Sequence, residues 1–314
     1  MKFPVFDLHC DTAYALLGDS RRECGSLRQN DLHIDLQRAA KHPGYAQCFA
    51  CFTTPLEKDI APVELFEREL ATVMREVENN CDLISLAYSA DDILCNYQNG
   101  KMSAVLSIEG PAGFDFDPEL LPMLYQVGFR MTTLGWNEEN PLTGSHSTGG
   151  GLTEQGRRYV KIAQDLGMII DLSHISDAGF WDVMEISTKP VIASHSNSRF
   201  CCNHSRNISD DMFMAICKTG GVVGVNLYRE FLGNEGLLDT ACDHIMHFMQ
   251  MDASAEHIAL GGDLDGCAPL AEGFRGVQDY DLLANKLLDR GLSDEIVMKI
   301  FWNNALGVFE KCCI

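Results

Sequence analysis

Eight short apolar runs, each bounded by turn residues, recur along the chain with helical stretches between most of them. They read FPVFDL, YAQCFACF, MSAVLSI, GFRMTTL, GMIIDLS, PVIASH, GGVVGVNL and HIALGG. Strands that alternate with helices pair in parallel, because a parallel pair needs a crossover and a helix supplies it. Eight such units point to a closed (β/α)8 TIM barrel rather than an open sheet. An open doubly wound sheet also declares a glycine-rich phosphate turn after its first strand. Here that turn reads DLHCDTAYALL and holds no glycine before Gly18. The expected fold is therefore α/β, one (β/α)8 barrel domain over residues 1–314 with C-terminal helices.

The connecting stretches carry helix signals. PVELFERELATVMREVEN spaces its apolar residues for one buried face. TEQGRRYVKIAQDL opens on Thr153, an expected N-cap, and two further stretches open on Ser-Asp. SDDMFMAICKTG stops at Gly220. The run from SDEIVMK to FEKC reads as a closing helix.

Charge and cysteine content narrow the function classes. A net charge of −21, from 24 basic and 45 acidic side chains, repels phosphate backbones and argues against a nucleic-acid partner. No stretch reaches the apolar length of a membrane span, and the N-terminus has no secretory pattern, so a cytoplasmic protein is expected. The 13 cysteines are then expected as reduced thiols. Cys48 and Cys51 form a C-x-x-C with no second such pair, which suits core-strand cysteines better than a zinc ribbon.

Ionisable residues sit where five of the runs end: His9 and Asp11, Glu109, His174, His195, and Asp263 with Asp265. In barrel enzymes that rim gathers the catalytic side chains. One polar strand end means little, but five together point to a metal site. Imidazole with carboxylate oxygen suits zinc or a similar divalent ion. Five or six donors, with a glutamate able to bridge, suit two ions and leave Asp263 to move a proton. Asp7 is expected to brace the first strand or a supporting histidine, Asp171 to lie in the core or support a ligand, Asp265 to hold its loop, and His244 and His247 to pack or lie at the surface. Of Arg199 and Arg206, one suffices for a substrate.

The stretch GLTEQGRRYVKIAQDLGMIIDLSHISDAGFWDVMEISTKPVIASHSNSR resembles the renal (membrane) dipeptidases, which are amidohydrolase-type metal barrels. NHSRNISDDMFMAICKTGGVVGVNLY and HIALGGDLDG continue the likeness, which covers nearly the whole chain. The resemblance implies two zinc ions, one on His9 and Asp11, the other on His174 and His195, with Glu109 bridging. It implies attack by a metal-bridging hydroxide on the peptide bond of a free dipeptide, tolerance of a D-residue at the C-terminal position, and a homodimer. Arg206 matches the arginine that receives the terminal carboxylate, Asp263 the acid/base aspartate, and Tyr228 a substrate-side tyrosine. One position departs from the family pattern. Where the dipeptidases carry Leu-Thr-His, with a substrate-binding histidine, this chain reads TTLGWNEEN and has Trp136. An indole donates one hydrogen bond and does not titrate, so Asn137 or Asn140 is a candidate for the missing donor. Two alternatives remain: another amidohydrolase acting on an N-acyl amino acid, a cyclic amide or a lactone, and a metal-binding barrel without catalysis. No lysine ends a run, which counts against a carbamylated-lysine bridge, and Asp263 counts against a barrel that only binds.

Overall fold

Each of the eight apolar runs holds all or most of one barrel strand in the computed structural model, which describes residues 3–18, 25–57, 59–233 and 236–313. The strands are β1 (Val5–Cys10), β2 (Tyr45–Phe52), β3 (Ile84–Leu86), β4 (Met102–Glu109), β5 (Phe129–Thr133), β6 (Ile169–Asp171), β7 (Val191–Ile192), β8 (Val223–Val225) and β9 (Ile258–Leu260). The ladder runs β7-β6-β5-β4-β2-β1-β9-β8, and its pairs are parallel. A bridge from Ala193 to Val223 joins the two ends, with the Gly224 amide donating to the Ala193 carbonyl at 2.8 Å. Eight parallel strands thus form a nearly closed barrel. β3 is additional and lies on β4 from Ile84–Met102 to Leu86–Ala104, ahead of the place where β5 takes over at Leu106–Phe129. Three residues are too short a run to declare a period of two, so sequence patterning did not mark it.

Local chemistry explains the helices around it. Pro62–Asn79 begins with proline at its first turn, where the missing N–H costs nothing. Thr153, Ser176 and Ser209 each cap a helix by accepting from the amide three residues on, at Gly156, Gly179 and Met212. Gly220 closes the third of these with φ of 79°, a left-handed value that glycine takes without strain. The closing run is not one uniform helix. Asp294–Met298 leads into a π turn over Lys299–Asn303 and then Asn304–Cys312. At that widening Trp302 meets the Phe6 ring at 5.8 Å, and Phe309 meets it at 5.3 Å, which seats the C-terminal helix against β1.

Alternate residues of β2 serve two clusters: Ala46 and Cys48 pack with Phe6, Trp302 and Phe309, while Tyr45, Phe49 and Cys51 pack in the larger core. Cys48 and Cys51 are therefore buried core thiols, and burial pushes both thiol pKa values up. Among the described residues the cysteines are unpaired, and no helix is long and apolar enough to cross a membrane.

Closure of the barrel requires backbone contact without side chains. A Cβ at Gly224 or at Gly261 would overlap the Ser194 carbonyl oxygen. Gly307, in the C-terminal helix, has nothing within 4 Å of the same point. Gly261→Ala should therefore lower stability by about 2–3 kcal/mol. Gly307→Ala should raise it by up to about 1 kcal/mol, because alanine is the better helix former. Thermal unfolding of the two variants beside the parent measures both signs.

Candidate metal centre

The ends of β1, β4, β6, β7 and β9 bring His9, Asp11, Glu109, His174, His195 and Asp263 into one buried cluster. Two buried aspartates hold those ends together. Asp7 accepts from the His9 amide at 2.9 Å, from the Gly262 amide at 3.2 Å and from the Tyr280 hydroxyl, tying β1 to the loop after β9. Asp171 accepts from the Ser173 amide at 3.0 Å, the Ser194 amide at 2.9 Å and the Ser194 hydroxyl, tying β6 to β7. Both act as braces, as their positions ahead of His9 and His174 suggest. His174 and Asp263 then leave their strands in left-handed backbone, with φ of 70° and 56°. That conformation is uncommon for residues with a Cβ and recurs at functional sites.

Glu109 lies between two groups of donors. One oxygen is 3.1 Å from His9 Nε2, which is also 3.3 Å from Asp11. The other oxygen is 2.9 Å from His174 Nε2 and 3.9 Å from His195 Nε2. His9, Asp11 and Glu109 form one set whose donor atoms lie within 4.8 Å of one another, and Glu109, His174 and His195 form a second. Asp171 makes a third such set with His9 and His195, but its oxygens are already committed to the bracing bonds.

The protonation pattern tests whether a cation fits. His195 Nδ1 is 2.7 Å from the Ser194 hydroxyl, whose own hydrogen goes to Asp171, so Nδ1 carries the proton. His174 Nδ1 is 2.8 Å from the side-chain oxygen of Asn137, so it too is the donor. Both Nε2 atoms are then bare, and they face each other at 3.0 Å. Two lone pairs at that distance repel unless a cation lies against them. On the other side of Glu109, His9 Nε2 and the Asp11 Oδ1 are buried and have no aligned hydrogen-bond partner. The donor chemistry fits a divalent metal. Burial disfavours charge throughout, and it pushes His174 and His195 well below the usual imidazole range, with Arg206 and His9 adding to the effect. Burial, with the Glu109 charge beside it, lifts Asp11 to about 6. Burial opposes the charged form of His9, but Glu109 and Asp11 outweigh it and hold that pKa well above its usual value.

Asp263 is fastened by the Asn226 amide at 2.9 Å, and burial lifts it to about 7, with Asp11 and Glu109 adding to the rise against the pull of His9. Gly266 leaves the space for this arrangement, since a Cβ there would meet both the Asp11 and the Asp263 carboxylates. Asp265 does hold its loop, accepting from the Thr12 hydroxyl and the His33 amide, both at 2.6 Å.

The cluster opens into a cavity of about 750 Å³ that Arg206, Tyr228, Trp136 and Asn137 also line. Arg206 is only 4% exposed yet forms no ion pair among the described residues. Its guanidinium meets the Ser196 hydroxyl at 3.4 Å and the His195 carbonyl at 3.3 Å, and its Nε has no partner. Arg199, the other candidate, makes a two-pronged ion pair with Asp177 at 2.7 and 2.8 Å. Trp136 packs edge-on to Phe52 at 5.0 Å and lies 6.2 Å from the His174 ring. Asn140 is used inside its own loop, bonding Leu134, Leu142 and Thr143. Asn137 engages its side-chain oxygen with His174 and with His146, a cavity residue that sequence reading did not single out. His244 and His247 are buried packing residues, bonded to Ser198 and Leu232 and to Asp210.

The family model for membrane dipeptidase (peptidase family M19) matches residues 1–312. An uncharacterised dipeptidase of Schizosaccharomyces pombe is 32% identical over 339 aligned residues, spanning 98% of this chain and 80% of its own. An uncharacterised protein from the pqqA 5′ region of Klebsiella pneumoniae is 32% identical over 80% of this chain and 97% of its own. Among solved structures, a metallo peptidase from Rhodobacter sphaeroides, liganded with a phosphinate mimic of the dipeptide L-Ala-D-Ala, shares the fold. It has a TM-score of 0.90 at 24% identity, over 99% of this chain and 100% of that one. The chain belongs to the membrane dipeptidase family, peptidase family M19, and is a metallo-dipeptidase.

Proposed function

We propose that this chain hydrolyses the peptide bond of free dipeptides, L-Xaa-D-Xaa dipeptides included, with two zinc ions. His9, Asp11 and Glu109 would hold one ion and Glu109, His174 and His195 the other, which matches the two donor sets that share Glu109. Mixed imidazole and carboxylate ligation favours zinc. Bound zinc would supply Lewis acidity and a lowered water pKa. The observation that carries the reading is the presence of this divided cluster and an unpaired buried guanidinium in one cavity.

The chain's own groups then divide the work. Arg206 takes the terminal carboxylate, because a desolvated fork of N–H donors without an anionic partner is completed by one. This requirement restricts substrates to short peptides with a free C-terminus. Asp263, buried beside the two donor sets and outside both, is placed to take a proton and pass it to the leaving amine. Asn226 fixes that carboxylate in place. Tyr228 and Trp136 line the same cavity and would bound the substrate there. Acceptance of a D-residue is supported by the family resemblance and by the L-Ala-D-Ala mimic held by the Rhodobacter sphaeroides protein.

Zinc-loaded protein should cleave L-Xaa-L-Xaa and L-Xaa-D-Xaa dipeptides, lose the activity to a chelator, and leave an amidated dipeptide intact. Cleavage of a lactone or an N-acyl amino acid in place of dipeptides would overturn the reading. Arg206→Ala should raise KM for a free dipeptide by about 10–100-fold, the loss of one charge-assisted pair. Asp263→Asn should lower kcat by about 10²–10⁴-fold while bound zinc is retained, as metal analysis of the purified variant would check.

Asp263 also sets a pH dependence in the metal-free protein. Its folded pKa of about 7 lies above the ordinary 3.8, so its contribution favours folding below pH 3.8 and is lost as pH rises through 7. Asparagine carries no such penalty. The metal-free Asp263→Asn protein should gain on its parent between about pH 4 and 7 and level off above that, near a difference of about 4 kcal/mol. Unfolding curves of both proteins across that range measure it; a gap that narrows as pH rises would contradict the assignment.

A further inference from the structure

Three loops meet at the His146 ring. His146 sits in the Ser145–Ser147 turn, between β5 and the helix Glu154–Leu166, and its backbone amide donates to the His174 carbonyl at 2.8 Å. Its ring Nε2 is 2.9 Å from the Asn137 side-chain oxygen, and its Nδ1 is 2.8 Å from the hydroxyl of Ser205, the residue before Arg206. Asn137 is itself held on both sides, since its main-chain carbonyl accepts from the Ser145 hydroxyl at 2.8 Å and the Ser147 hydroxyl at 2.6 Å.

An amide oxygen only accepts, so the same Asn137 oxygen takes N–H bonds from two imidazoles at once. For His174 this leaves the proton on Nδ1 and the lone pair on Nε2, the form a metal requires. For His146 it leaves Nδ1 bare, so Nδ1 accepts from Ser205. One ring therefore touches both ends of the cavity. Toward β6 it fixes the amide that orients His174, and toward the loop after β7 it fixes the residue that leads into Arg206.

We propose that His146 is a positioning residue that, through Asn137 and Ser205, sets the His174 imidazole and the Arg206 guanidinium in fixed relation to each other. The inference rests on the metallo-dipeptidase reading for its substrate arm, and on the metal-holding role of His174 alone for its metal arm.

The two arms separate by substitution. Asn137→Leu removes the shared acceptor and should weaken retention of one zinc equivalent by about 10–100-fold in competition with a chelator. Asn137→Asp keeps an acceptor and adds charge, and should retain zinc at least as tightly as the parent. Ser205→Ala frees the Arg206 loop and should raise KM for a free dipeptide several-fold with zinc retention unchanged. His146→Ala should do both, and His146→Gln, which can donate to Asn137 and accept from Ser205, should restore part of each. A merely structural role predicts no such split, since a loosened fold would move both readouts in every variant. Parental zinc retention and parental KM in His146→Ala would overturn the proposal, as would equal loss of zinc in Asn137→Leu and Asn137→Asp. If the parent protein cleaves no dipeptide, the dipeptidase reading fails while the chelator competition still decides the role of His146 in holding zinc.

Discussion

The Glu109 carboxylate lies between two groups of imidazoles, 3.1 Å from His9 on one side and 2.9 Å from His174 on the other. The rest of the site is arranged around the cost of burying that meeting of like and unlike charges. Three carboxylates, three imidazoles and a guanidinium are gathered in buried positions against the cavity, and each loses hydration to be there. Such a cluster holds its shape only if the scaffold imposes it. The scaffold here is a parallel barrel closed by backbone contact at Gly224 and Gly261, with Asp7 and Asp171 tying the strand ends into pairs. Both bracing aspartates accept backbone amides rather than ion pairs. They supply rigidity without adding a cation that would compete with a metal.

Much of this was legible in the sequence, and the reason is positional. A barrel enzyme puts its reactive side chains at the carboxyl ends of its strands, so an apolar run followed by His, Asp or Glu marks both the element and its function. Each of the eight runs holds all or most of a strand, and the strand-end residues His9, Asp11, Glu109, His174, His195 and Asp263 do converge. What stayed hidden depends on three-dimensional proximity without a sequence period. β3 has three residues and no alternation to show. The π turn at Lys299–Asn303 accompanies the packing of Trp302 on Phe6, a contact across the whole chain that no local propensity encodes. His146 and Asn137 are nine residues apart in a loop, and the bond from Asn137 to His174 spans 37. The Ser-His-Ser and Trp-Asn pairs were visible as letters, but only the fold gives them a common neighbour.

The two arginines near the β7 end show the same limit. Arg199 and Arg206 are equivalent by position and residue type. Arg199 is satisfied by the Asp177 carboxylate, and a guanidinium already paired in two-pronged geometry has little left to offer a ligand. Arg206 is more deeply buried, and among the described residues its guanidinium bonds a hydroxyl and a carbonyl and faces the Phe231 ring at 5.4 Å. Leaving an arginine so poorly compensated costs stability. The overall charge of −21 sharpens that contrast, because in a chain so rich in carboxylates Arg206 forms no direct ion pair among the described residues, and Asp263, Glu109 and Asp171 act on it only from a distance.

Burial acts in opposite senses on the acidic and basic groups of the cluster and draws Asp11, Asp263, His174 and His195 toward the same neutral state, while Glu109 and Asp11 hold His9 charged. It raises Asp11 to about 6 and Asp263 to about 7, and it lowers His174 and His195 well below the usual imidazole range. Each shift moves a group toward its neutral form, because neutral groups tolerate a dry site best. A divalent cation reverses the preference for the carboxylates and leaves it in place for the imidazoles, since it binds the ionised oxygen and the neutral nitrogen. The exclusion of water that makes the bare cluster repulsive thus also makes it selective, favouring a cation that accepts oxygen and nitrogen together. Asp263 lies beyond both donor sets, bonded to Asn226. Its separation from those sets rests on one amide contact and on the missing side chain of Gly266.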